Sequence, residues 1–226
     1  MRAIDVHVHP TDERISKAWA GETQDAERFF RGPWTHEGLD ATAARYAALD
    51  TLADEGCRTH EGVGLHVHVS REAFDGECHL YRWMKFVYRN EQSISVLARR
   101  NSPEWASFHN DHRRAIKHMI KVEDMRRGYD RNGHYLPGAA TARYQAINPL
   151  NLRTLEVRVF ASSLRPSEVK AALAFVAATV EYTRELDANK IIQARGWAWS
   201  SFVDWLRQHD AYRPLLDELE TLSCAS

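Results

Sequence analysis

The chain has 226 residues, 44% of them hydrophobic, and a formal net charge of −1. That length suits one large domain, with or without an appendage; the apolar content excludes wholesale disorder, and the balanced charge supplies no global field for nucleic acid or an anionic membrane. Three cysteines, Cys57, Cys78 and Cys224, show no C-x-x-C spacing, so neither a disulfide framework nor a cysteine zinc finger is expected and a reducing cytoplasm is the default compartment.

Residues 2–10 (RAIDVHVHP) predict a short strand stopped by Pro10. They lack the apolar core of a signal peptide, and no later segment approaches the roughly 20 apolar residues of a membrane span. A weak helix is expected near Asp25–Phe30, with a break at Gly32-Pro33. From Leu39 the spacing of Leu39, Ala43, Tyr46, Leu49 and Ala53 predicts a helix that Gly56 is placed to cap. Gly64–Ser70 (GLHVHVS) then alternates polar and apolar residues as a strand does. Residues 78–98 carry apolar side chains at helical spacing, with Leu80, Trp83, Met84, Val87, Ile94 and Leu97 facing inward. Residues 101–138 read as irregular and charged. RYQAINPLN (143–151) and TLEVRVF (154–160) form a second β region. Pro166 and Ser167 open a long helix to about Leu186. Two shorter helices follow, near Ser200–Arg207 and Pro214–Leu222. Short alternating strands interleaved with helices predict an α+β domain: an antiparallel sheet with helices packed on one face.

The two alternating strands carry the chemistry. Successive strand side chains point to opposite faces, so His66 and His68 share one face, opposite Leu65, Val67 and Val69. Glu156 and Arg158 likewise share a face opposite Leu155, Val157 and Val159. Imidazole, carboxylate and guanidinium together suit a site for a divalent cation and phosphate. One histidine would ligate the ion and the other would touch phosphate. Glu156 would be an oxygen ligand for Mg²⁺, and Arg158 would stabilise charge on a transferring phosphoryl group. Arg143 and Asn148 could hold a substrate carboxylate or phosphate. The plainer alternatives are solvent-facing histidines, a cross-strand ion pair and a polar turn. The basic segment His112–Arg131 has poor aromatic interleaving and reads as a solvated face or a lid rather than a nucleic-acid surface. His7 and His9 form a second H-x-H, the pattern that binds a catalytic metal at the first strand of a barrel hydrolase. Such a barrel needs roughly 250 residues and repeated βα units.

GLHVHVSREAF, HLYRWMKFVYRN with SVLARR, RYQAINPLN, TLEVRVFASSLRP and ALAFVAATVEYTREL, in this order, resemble the amidoligases. These are ATP-dependent carboxylate–amine ligase-like proteins with a glutamine-synthetase-like fold, and the resemblance spans about residues 33–226. It implies that ATP and Mg²⁺ phosphorylate a small-molecule or peptide carboxylate, which an amine then converts to an amide or isopeptide bond. It further implies His66 as the metal-side imidazole, His68 as a nucleotide contact, Glu156 as a Mg²⁺ ligand, Arg158 as a phosphate contact and Arg143 as a phosphate or substrate contact; Asn148 is a candidate nucleotide contact on its residue type and position alone.

The alternating-glutamate strand that opens such ligases is not evident. Residues 1–31 instead resemble the start of an amidohydrolase, which marks 1–32 as an N-terminal appendage. Three readings therefore stand: an ATP/Mg²⁺ ligase, full or weakened; an inactive nucleotide-binding or interaction module of the same fold; and a metal-dependent hydrolase using His7 and His9. In the first, a homo-oligomer could complete the site from a neighbouring subunit.

Overall fold

The computed structural model describes residues 4–8, 43–60, 63–100, 102–109, 116–120, 126, 128, 132 and 143–225. His9, the helix near Asp25–Phe30, the Gly32-Pro33 break, Leu39 and most of His112–Arg131 lie outside the described residues.

Four strands make an antiparallel sheet: β1 (Ile4–Val8), β2 (Gly64–Ser70), β3 (Ile147–Asn148) and β4 (Thr154–Ala161), in the order β1-β2-β4-β3. The predicted strands are present, although the first half of the second β region shortens to the two residues of β3. Gln145, just before it, forms an isolated bridge to Ser107. With β2 and β4 central, their alternating apolar residues have helices to bury against.

Those helices are α1 (Ala43–Asp54), α2 (Glu77–Arg89), α3 (Glu91–Leu97), α4 (Pro166–Arg184), α5 (Ala188–Ile192), α6 (Trp199–Leu206) and α7 (Arg213–Ala225). Gly56 follows α1 with φ +88°, and its N–H bonds to the carbonyl of Ala53, as expected of a terminal glycine. The single helix expected over 78–98 is two. Asn90 leaves helical geometry between them, and its amide donates to the carbonyls of Phe86 and Trp197 at 2.9 and 3.2 Å. Hydrogen bonding by the Asn side chain to nearby backbone offers the chain an alternative to continuing the helix.

α4 begins at Pro166, whose missing N–H costs nothing at a first turn. Val169, Leu173, Val176 and Val180 along it are buried. It packs beside α2, where Trp83 Nε1 donates to Thr179 Oγ1 at 2.9 Å and Arg82 Nε donates to the Thr183 carbonyl at 3.1 Å. Buried His79 spends both ring nitrogens on backbone: Nδ1 accepts from the Asp75 N–H and Nε2 meets the Val180 carbonyl at 2.9 Å. It is a packing histidine. Phe202 of α6 ties the helical layer together, with its ring 5.3 Å from Phe86 and 5.2 Å from Tyr182.

Candidate functional site

The register of β2 against β4 builds the polar face. His68 lies opposite Glu156 and Val67 opposite Val157, but Leu65 lies opposite Phe160. One β2 residue, His66, is therefore matched by two of β4, Arg158 and Val159: a β-bulge. Strict alternation assigned Val159 to the helix-covered face. The extra residue instead gives that place to Phe160, whose ring meets Phe175 of α4 at 5.9 Å, while Val159 lines a hollow beside Arg100.

Beside the bulge three predicted residues are in contact, all nearly buried: His66 is 6% exposed and Glu156 and Arg158 are each 9% exposed. Arg158 Nη1 donates to Glu156 Oε1 at 2.6 Å, and its Nε donates to the Trp105 carbonyl at 3.1 Å. His66 Nδ1 lies 2.7 Å from the same Oε1, close but off the line of a straight hydrogen bond. Asn148, paired with Glu156 across β3 and β4, donates to Oε2 at 2.6 Å, and its own Oδ1 accepts the Leu150 N–H at 3.0 Å. The turn residue is thus a direct partner of the carboxylate.

Burial pushes the Glu156 carboxyl up, but His66, the Arg158 charge and the Asn148 hydrogen bond outweigh it and bring its pKa down to about 2. Glu156 is an anion at any ordinary pH. Burial lowers the pKa of His66, aided by the positive charges of Arg158 and Arg100, and the contact with Glu156 does not offset this. The imidazole is therefore neutral at pH 7.

The other predicted residues stand apart from this cluster. His68 is half-buried, and its Nδ1 makes a long 3.4 Å contact to Thr154 Oγ1. Arg143 is exposed, with no hydrogen bond or ion pair to a described residue. On β1, Asp5 is the register partner of His68 and His7 that of His66. β1 joins β2 antiparallel, unlike the parallel first strand of a barrel hydrolase.

One residue escaped the sequence reading. Arg100 follows α3, and its Nη1 donates to the carbonyls of Arg158 (3.2 Å) and Phe160 (3.5 Å). A side chain at Gly64 would place its Cβ 2.0 Å from that nitrogen, so the glycine opening β2 is what admits the guanidinium. The paired arginines of LARR and the glycine before HVHV were visible, but nothing local joined them.

Among the described residues no group of three or more His, Cys, Asp or Glu side chains gathers. A protein-caged zinc does not fit such a donor set. Mg²⁺ asks for less, one carboxylate with phosphate and water oxygens completing the shell, and Glu156 is the carboxylate at this face, its two oxygens already hydrogen-bonded to Arg158 and Asn148. Glu156 would then be its protein ligand, with His66 beside it. No described helix is long and apolar enough to cross a membrane. Comparison of the chain with protein-family models, with curated proteins and with solved structures finds no match.

Proposed function

We propose that the polar face of β2, β4 and β3 binds the phosphates of ATP for carboxylate–amine ligation, within a glutamine-synthetase-like catalytic half. The observation that carries this reading is the buried Glu156–Arg158–His66 contact, held on two strands and braced by Asn148. A guanidinium fixed at both Nη1 and Nε is preorganised and needs little rearrangement as charge develops on a phosphoryl group. In the reaction a substrate carboxylate oxygen attacks the γ-phosphorus and the bond to ADP breaks. The amine nitrogen then displaces phosphate from the acyl phosphate and gives up a proton. Mg²⁺, when bound, neutralises charge on the phosphate oxygens. Arg158 orients the phosphoryl group, Glu156 anchors Arg158 and the ion, and neutral His66 keeps a second like charge away from Arg158. The substrates are a small-molecule or peptide carboxylate and an amine, and the compartment is the cytoplasm.

A second reading rests on a specific feature. Both oxygens of Glu156 are already engaged by protein groups and no second described acid joins it, which suits a module that binds nucleotide without turnover. One experiment separates the two. ADP release is measured with ATP, Mg²⁺ and a panel of carboxylates and amines, beside calorimetric titration with ATP. Ligation predicts amine-dependent ADP release that falls at least tenfold in Arg158→Lys, where the fork is lost. ATP binding without ADP formation across the panel assigns the inactive module. Absence of both overturns the nucleotide reading.

A further inference from the structure

Arg100 is a cation that makes no ion pair with Glu156. Its Nη1 is spent on two backbone carbonyls, its Nε is buried with no hydrogen-bond partner among the described residues, and no described carboxylate pairs with it. A half-buried guanidinium without a counter-ion is costly, and proteins ordinarily supply an acid beside it. Here the neighbouring charge is that of Arg158, of the same sign; burial first and then that charge lower the pKa of Arg100. Arg100 is among the residues that line a hollow of about 310 Å³, together with Ser95, Ser102 and Ser107. Ser107 Oγ accepts the His109 N–H at 3.0 Å, which orients the hydroxyl. Glu91 lines the same hollow and disfavours a second negative group there.

We propose that this hollow is a binding site for a small oxyanion, the carboxylate or phosphate end of a small molecule, with Arg100 as its anchor. The volume lies at the lower end of small-molecule sites, and an arginine with three serines in one lining supplies the donor types an oxyanion needs. Gly64 is the positioning element, because only a residue without Cβ leaves room for Arg100 against β4. The inference is independent of the ligation reading and is tested without ATP or Mg²⁺.

The full chain is titrated with inorganic phosphate and with glutarate at constant ionic strength, chloride serving as the reference, and binding is read by calorimetry and by thermal shift. Phosphate, glutarate or both bind more tightly than chloride, and the one that responds names the end group. Arg100→Gln weakens that binding about tenfold or more. Gly64→Ala weakens it as well, since the charge is kept but displaced, whereas exposed Arg165→Gln leaves it unchanged. Binding no tighter than chloride, or equal affinity in the wild type and Arg100→Gln, overturns the proposal. Should Arg100→Gln not fold, Arg100→Lys and Gly64→Ala decide, and unchanged affinity in both overturns it.

Discussion

Glu156 shows how much one side chain can organise. Its two oxygens collect His66, Arg158 and Asn148 from three strands. Replacing it by Gln keeps the shape and removes the charge, stranding Arg158 in a nearly buried position. Breaking such a pair from one side costs about 3–5 kcal/mol, so Glu156→Gln lowers the free energy of unfolding by that order at pH 7. The pH dependence has a definite sign. The folded carboxyl titrates at about 2 against 4.5 for the free group, so its contribution is complete above pH 4.5 and is lost as pH falls towards 2. His66, with a pKa below its ordinary 6.5, adds a loss of stability as pH drops beneath 6.5, because the unfolded chain takes the proton more readily. Urea denaturation from pH 7 to pH 3 checks both. The Glu156→Gln variant shows a shallower decline below pH 4.5 than the wild type, and equal slopes would remove the carboxylate from this role. The pairing of these residue types was legible in the H-x-H and E-x-R spacing, but Asn148 as the third partner was not. Its link to Glu156 depends on β3 folding back across β4.

At the scale of elements, local rules explain most boundaries. Pro166 starts α4, Asn90 divides α2 from α3, and Gly56 ends α1. At Gly56 an added Cβ would meet no atom within 4 Å, so the penalty for a side chain there is purely conformational. Gly56→Ala therefore destabilises the protein by about 1–2 kcal/mol, the cost of a left-handed alanine, with the denaturant slope unchanged. A neutral result would show that the turn readjusts. The bulge at Arg158–Val159 is a different kind of feature. Alternation in TLEVRVF predicts a regular strand, and the extra residue becomes necessary only because Leu65 and Phe160 must face each other while Val67 faces Val157.

For the molecule as a whole, two layers divide the labour. The helical side holds the aromatic core around Phe202, which is fully buried among Phe86, Phe175, Tyr182, Trp199 and Trp205. The sheet's polar face holds the charged cluster. Phe202→Ala opens a cavity on the helical side and costs about 3–5 kcal/mol, read as a lower urea midpoint. The anion affinity of folded protein stays near the wild-type value, since the substitution touches no residue of that hollow. Loss of affinity in molecules that remain folded would show that the two layers are coupled.

Residue pattern alone determined the α+β class, the strands carrying histidine or Glu and Arg, and the apolar stripe of α4, because periodicity reports which face a segment must bury. Tertiary structure decided which polar groups meet. Arg100 reaches the β2–β4 sheet from the end of α3, room for it is left by Gly64, and Asn148 becomes a partner of Glu156 by strand pairing. Arg143, close to Asn148 in the chain, stays exposed. Such meetings depend on register and on close approach between segments far apart in sequence, and no local periodicity encodes either.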